Sequence, residues 1–222
     1  MTTATFEKLM GEPGFQELFR VSRHRDFPKN HVVLAESAKP GSLYLLVSGL
    51  VAVRHSGIRG RELLLAYLYP GDFFGEMCLF PGLDARSAMI KTSSASVALE
   101  ISYQTFMDLT QKYPRLWLEL AGQLAARLRS TNHRLAEMPV LHAADRVWLA
   151  IKEIAANSDA PELPEGKPVR ITRQDLGKLA GCSRELAGMV LKDFAEEGRI
   201  VLQGKTVVIP KSALAATSQV SA

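Results

Sequence analysis

Between Gly71 and Ala88 the chain reads GDFFGEMCLFPGLDARSA, and four of its residues, Gly75, Glu76, Arg86 and Ser87, carry chemistry in a fixed order. A carboxylate accepts hydrogen bonds, a guanidinium donates up to about five, and a serine hydroxyl does both. Gathered by one loop, such groups suit a small, polar, charged ligand. The stretch joins two apolar, strand-like runs and does not read as an ordinary hairpin turn. In isolation, the same glutamate and arginine also read as a solvated salt bridge.

A second stretch, ITRQDLGKLAGCSRELAGMVLKDFAEEG, breaks into a short helix from Arg173 to Leu179, a turn centred on Gly181 and a second helix from about Ser183 to Glu196. Small Ala180 and Gly181 let two helices cross closely, and Ser183 suits the N-cap of the second. This is a helix-turn-helix over about 173–192. Its second helix presents Arg184, Glu185 and Met189 near the end that meets base edges in the major groove. Thr172, Arg173, Gln174, Ser183, Lys178 and Lys192 join them as candidate DNA contacts. The hairpin GRIVLQGKTVVIP follows, turning at Gln203 and Gly204 with Lys205 at its tip. A wing of that kind adds phosphate contacts beside the groove. A plain helical hairpin with charged caps shares the helical pattern, and the wing favours the DNA-reading alternative.

Composition narrows the class. The chain has 222 residues, 47% hydrophobic and 23% charged, which is the profile of a globular protein able to bury its own core. Net charge is +4, with 16 basic against 13 acidic residues before Met138 and 11 against 10 after it. Charge alone argues only weakly for a polyanion, so the case for nucleic acid rests on the motif. Two cysteines, Cys78 and Cys182, are too few for a disulfide framework or a metal cluster and read as reduced thiols. The N-terminal stretch MTTATFEKLMGEPGF has no basic region followed by an apolar one, and no run approaches the ~18 apolar residues of a membrane span. A cytoplasmic protein with no membrane partner is expected. No nucleophile elbow or metal-spaced histidine pair points to an enzyme.

The elements that must position these residues follow from periodicity. From about His31 to Ser102 come short runs, HVVL, SLYLLV, LVAVRH, ELLLAYL, SAMIKT and SVALEIS, the spacing of an antiparallel sandwich or barrel. After Tyr103 the pattern turns helical: a short helix to about Lys112, then a long one from about Pro114 to Met138. In the long helix, Trp117, Ala121, Leu124, Leu128, Thr131, Leu135 and Met138 alternate at four and three, a heptad seam. A single buried core helix gives the same stripe. Polar Thr131, with Arg127 and Asn132 beside it, favours a dimer seam that also touches a ligand. Pro139 should end or kink the helix. Beyond it LHAADRVWLAIKEIAANS reads as another amphipathic helix and DAPELPEGKPVR as a turn-rich loop.

The two motifs together resemble one family. GDFFGEMCLFPGLDARSA is similar to the phosphate-binding cassette of the cAMP receptor protein (CRP/FNR) family, and ITRQDLGKLAGCSRELAGMVLK to its helix-turn-helix. The similarity runs in order from about Phe15 to Pro210, with ISYQTF, GCSRE and GKTVV among the matching segments. It implies an α+β protein: an N-terminal cyclic-nucleotide-binding, jelly-roll-like β-roll over 1–112, a long dimerisation helix over 113–138 and a C-terminal winged helix-turn-helix over 139–222. By resemblance, Glu76 bonds a ribose hydroxyl, Arg86 and Ser87 hold a cyclic phosphate, and Gly75 permits close backbone approach. Thr131 and Asn132 correspond to the adenine-contacting pair, with Arg127 just before them.

The departures matter too. Asn132 stands where the family's cAMP receptor has serine, Cys78 replaces a glycine, and Met189 takes the place of a third base-reading arginine. Arg184 and Glu185 match residues that contact G and C in a TGTGA-type half-site. The resemblance therefore implies a homodimeric bacterial-type transcription regulator with cAMP as leading effector and cGMP or cyclic di-GMP as alternatives. Binding of double-stranded DNA without any effector, or a nucleotide-sensing module acting through protein partners, are further alternatives. Arg23 and Arg25 lie where relatives touch RNA polymerase, a position equally served by solvated arginines. The cysteine cluster of iron-sulfur relatives is missing, and His24, His31, His55, His133 and His142 are scattered, so neither metal nor haem is expected.

Overall fold

The computed structural model describes residues 9, 11–56, 62–82, 84–137, 141–157, 160–204 and 206–215. The chain divides into two units, Met1–His133 and Arg134–Ala222. The first opens with α1 (Pro13–Val21) and continues through β1 (Arg23–Phe27), β2 (Val32–Leu34), β3 (Ser42–Ser48), β4 (Val51–Ser56), β5 (Glu62–Leu68), β6 (Phe73–Phe74), β7 (Met89–Thr92) and β8 (Ser96–Ser102). Helices α2 (Tyr103–Lys112) and α3 (Arg115–Glu137) follow, the latter running across the boundary.

The strands form two four-stranded antiparallel sheets, ordered β1-β8-β3-β6 and β2-β7-β4-β5, which is the jelly-roll arrangement. Their apolar side chains alternate as a pleated strand requires. In β3, Leu43 and Leu45 join a core packed under α1, α2 and α3, while Tyr44 and Leu46 join a second core between the sheets. Phe73 and Phe74 divide the same way, as do Leu99 and Ala98. The unbroken run SLYLLV thus reports a strand covered on both faces. Strand β1 escapes a hydrophobic reading because four of its five residues, Arg23 to Asp26, are exposed on a sheet edge. Arg25 there pairs with Glu100 at 3.0 Å.

Helix α3 buries Leu116, Leu120 and Gln123 against the core of the first unit, and Trp117 and Leu124 pack partly against it. Leu118, Ala121, Ala125, Leu128, Asn132 and Leu135 are exposed. The heptad reading is therefore corrected by a rotation: Trp117 and Leu124 belong to the core of their own unit, and the outward stripe is 118, 121, 125, 128, 132, 135. Thr131 is exposed as well, and Met138, the last seam position read from sequence, lies outside the described residues.

The second unit holds α4 (Ala143–Asn157), β9 (Lys167–Arg170), α5 (Arg173–Ala180), α6 (Arg184–Glu196), β10 (Val201–Gln203), β11 (Thr206–Ile209) and α7 (Lys211–Ala215). Strand β9 falls inside the segment read as a loop. It lies at the edge of the sheet β10-β11-β9 and contains Pro168, whose missing N–H an edge strand tolerates. Gln203 pairs with Thr206, so the hairpin turns one residue later than the sequence suggests.

Candidate functional site

The cassette is anchored by buried Phe73 and Phe74 at β6. Gly75 follows with φ +76, and a Cβ there would stand 2.9 Å from both Arg86 Nη1 and Leu34 Cδ1. Both the conformation and the space require glycine. Arg86, only 6% exposed, threads past it. Its Nη1 donates to the Gly75 carbonyl at 2.5 Å and to the Tyr103 hydroxyl at 2.8 Å, and its Nη2 to the Ser42 carbonyl at 2.6 Å. Tyr103 in turn donates to the Gly75 carbonyl at 2.6 Å. Burial pushes the phenol's pKa up, keeping it a neutral donor, although the nearby Arg86 charge pulls the other way.

Every partner of the Arg86 guanidinium is thus a neutral oxygen, and among the described residues no carboxylate forms an ion pair with it. A buried cation held this way keeps most of its charge for an incoming anion. The backbone repeats the fixation, with Arg86 N–H donating to Ala38 at 3.1 Å and Ser37 N–H to the Arg86 carbonyl at 2.9 Å. Cys78 is half-buried and donates to the Ala85 carbonyl at 3.2 Å, crossing the loop. Ser87 is exposed at the loop's far end.

Glu76, 4% exposed, starts the 3₁₀ turn Met77–Leu79 and meets α3. Arg127 donates to Glu76 Oε1 at 3.0 Å and to the Phe73 carbonyl at 2.5 Å, with Asp72 at 3.9 Å. One turn earlier, Gln123 accepts from Phe73 N–H at 2.8 Å and donates to the Gly71 carbonyl at 2.9 Å. Two polar side chains of one helix therefore grip one short strand of the cassette. Sequence reasoning assigned Arg127 to a ligand and overlooked Gln123, Tyr103 and the Ser42 carbonyl. Gln123's signal was a polar residue on the buried face of an amphipathic helix. Thr131 and Asn132 lie exposed one turn beyond Arg127. The described residues contain no group of three or more potential metal-binding side chains, and no described helix is long and apolar enough to cross a membrane.

In the second unit, α5 and α6 begin with side-chain caps. Thr172 Oγ1 accepts from Asp175 N–H at 3.0 Å and Ser183 Oγ from Leu186 N–H at 3.1 Å. Those hydroxyls are engaged in capping, a role worth about 1 kcal/mol each. Gly181 adopts the left-handed C-cap conformation at φ 63. The close approach assigned from sequence to Ala180 and Gly181 occurs at Gly177, where a Cβ would lie 2.9 Å from the Cys182 carbonyl. Arg146 of α4 locks the turn, donating to the Ala180 and Leu141 carbonyls at 2.8 and 2.7 Å.

Helix α6 buries Ala187, Val190, Leu191 and Phe194. Its other side exposes Arg184, Glu185, Met189 and Lys192. Lys192 stands 3.5 Å from Glu196. The Glu185 carboxyl is held below its ordinary pKa by backbone N–H bonding and the Ser183 hydroxyl at the helix start. Arg173 and Gln174 are exposed on α5, and Arg173 passes across Gly188 of α6, its Cδ 3.4 Å from where a Cβ would be. Lys205 lies outside the described residues.

Comparison with known proteins agrees with both halves. Residues 24–113 match the family description "Cyclic nucleotide-binding domain" and residues 169–200 match "Bacterial regulatory proteins, crp family". The cAMP-activated global transcriptional regulator CRP of Salmonella typhimurium is 35% identical over 183 residues, 82% of this chain and 87% of that protein. The cAMP-activated global transcriptional regulator Vfr of Pseudomonas aeruginosa is 32% identical over 203 residues, 89% and 95% of the two chains. Among solved structures, the c-di-GMP responsive global regulator CLP of Xanthomonas campestris superposes with a TM-score of 0.79 at 32% identity, covering 89% of this chain and 98% of that one. With a jelly-roll sensor, a long helix and a helix-turn-helix matched along nearly the whole sequence, the chain belongs to the CRP/FNR family of transcription regulators.

Proposed function

We propose that the cassette binds a cyclic nucleotide, cAMP first, and that binding prepares a homodimer to recognise palindromic DNA built from TGTGA-related half-sites. The observation that carries this reading is the buried Arg86 guanidinium, held among the described residues by neutral oxygens alone. Those three bonds use three of its five N–H groups, leaving Nε–H and one Nη2–H for phosphate oxygens. Arg127 takes Glu76 Oε1 and leaves Oε2 to accept a ribose hydroxyl. The CRP and Vfr relatives are named as cAMP-activated, which supports cAMP. Asn132 both donates and accepts, so it suits adenine and tolerates guanine, keeping cGMP as an alternative.

Response would pass through α3. A ribose at Glu76 competes with Arg127 for the carboxylate, and Arg127 shares the helix with the exposed stripe Leu118, Leu128 and Leu135. A second copy seated on that stripe would make a two-fold dimer, and the half-sites that such a dimer reads lie about 34 Å apart. Ligand then shifts the population by its differential affinity for the two arrangements. Contact with RNA polymerase, through Arg23 or elsewhere, belongs to the same proposal.

The second reading, cyclic di-GMP, is favoured by the CLP structure, whose protein is described as c-di-GMP responsive. The intact Arg86–Ser87 pair, whose residue types suit a single cyclic phosphate, counts against it. Titration calorimetry with cAMP, cGMP and cyclic di-GMP separates the effectors. Arg86→Ala should weaken the bound nucleotide by about 2–5 kcal/mol, since a buried phosphate loses its charged partner. Undiminished cAMP affinity in that variant would mean that the phosphate is held elsewhere.

A further inference from the structure

His55 is the next-to-last residue of β4. Its Nδ1 lies 2.8 Å from Glu36 Oε1 and 3.3 Å from the Ser87 carbonyl oxygen. Both neighbours are acceptors, so Nδ1 carries the hydrogen and shares it between them. Glu36 is itself fixed, its Oε2 accepting from Ser56 N–H at 3.0 Å. Bonding from the Ser56 hydroxyl and amide keeps the Glu36 carboxyl below its ordinary pKa, so it is an anion that holds the imidazole in place.

The segment this pair touches has little other support. Arg86 is held on both its amide and its carbonyl by Ala38 and Ser37, and Met89 is already in β7, paired with Arg54. Ser87 and Ala88 span the gap, and among the described residues the Ser87 carbonyl's hydrogen bond is the one to His55. That carbonyl and the Ala88 N–H belong to one planar peptide, so pinning the oxygen also fixes the direction of the N–H. Fixing the same backbone dihedral sets where the Ser87 side chain starts.

We infer that His55, oriented by Glu36, is a positioning residue for the anion pocket: it holds the Ser87–Ala88 peptide in the orientation from which Ser87 meets a phosphate. The inference rests on the reading of Arg86 and Ser87 as phosphate ligands. It assigns a role to one of the scattered histidines that have no place in a metal site.

Asparagine offers an amide N–H near the position of Nδ1, and alanine offers none. Calorimetry with cAMP should find His55→Ala about three- to tenfold weaker than the parent, the worth of one hydrogen bond, and His55→Asn within about twofold of it. In the protein without nucleotide, the ¹⁵N order parameters of the Ser87 and Ala88 amides should fall from about 0.85 towards 0.6 in His55→Ala and recover in His55→Asn. An unchanged affinity in His55→Ala alongside a lost affinity in Arg86→Ala overturns the role of His55 and leaves the pocket standing. Failure of asparagine to restore either quantity also overturns it, since imidazole bulk would then be what matters. If the parent binds no cAMP, the reading of the pocket falls, and unchanged order parameters in His55→Ala would remove the positioning as well.

Discussion

A single arginine shows how a charge becomes a site. Arg86 is buried because Gly75 has no side chain to block it, and it stays competent for an anion because its partners are two carbonyls and a phenol that remains neutral. Motif order alone identified Glu76, Arg86 and Ser87 as a group. It could not reveal that Glu76 faces Arg127 while Arg86 faces backbone oxygens, because that division depends on which strand each residue's neighbour occupies. At the other end of the chain, Met189 projects from α6 with 56% of its surface exposed, on the same side as Glu185. A methionine cannot donate a hydrogen bond to guanine, whereas a bidentate arginine contact is worth about 1–3 kcal/mol of discrimination. Selection from randomised half-sites should therefore show G and C preferences set by Arg184 and Glu185 and tolerance at the pair facing Met189. Met189→Arg should sharpen that one position, and Arg184→Ala should weaken another. A parent as strict as Met189→Arg throughout the TGTGA pattern would remove Met189 from the base edges.

Elements were legible where one face is apolar and opaque where partners decide. The strands from HVVL to SVALEIS and both helices of the helix-turn-helix follow from periodicity and caps. Strands β1 and β9 do not: one is polar on an edge, the other contains proline, and only the neighbouring strand makes them extended. Helix α3 has close to the expected length, but three positions of its seam, 117, 124 and 131, move on by one residue to 118, 125 and 132. Two apolar stripes coexist on it, and sequence cannot say which belongs to the domain core. The corrected stripe changes the mutagenesis. Leu128 and Leu135 are 60% and 58% exposed, so Leu128→Glu with Leu135→Glu should leave the sensor core intact while placing carboxylates in any seam. Self-association should weaken by about a hundredfold or more, because an unpaired charge buried between helices costs several kcal/mol. Sedimentation velocity reads this directly, and an undisturbed dimer would move the interface to another surface.

At the scale of the whole molecule, the family relationship unites two units whose motifs are separately modest: a loop with an acid and an arginine, and a pair of capped helices. Neither net charge nor composition announces a DNA-binding protein. The order in which the motifs occur does, and the polar grip of Gln123 and Arg127 joins the long helix to the Gly71–Glu76 segment.

The strand Ser42–Ser48 contributes Leu43 and Leu45 to one core and Tyr44 and Leu46 to the other. Two cores that share a strand cannot melt independently, because losing either strips one face of the element that supports the other. The sensor unit should consequently unfold as one cooperative step. The amides of Leu43 to Leu46 should be among its slowest to exchange with deuterated water, opening only with global unfolding. Leu45→Ala should lower the protection of the inter-sheet strands as much as that of the helices, even though its side chain points towards the helices alone. A biphasic melt of the unit, with the helical side lost first, would show that the shared strand fails to couple them.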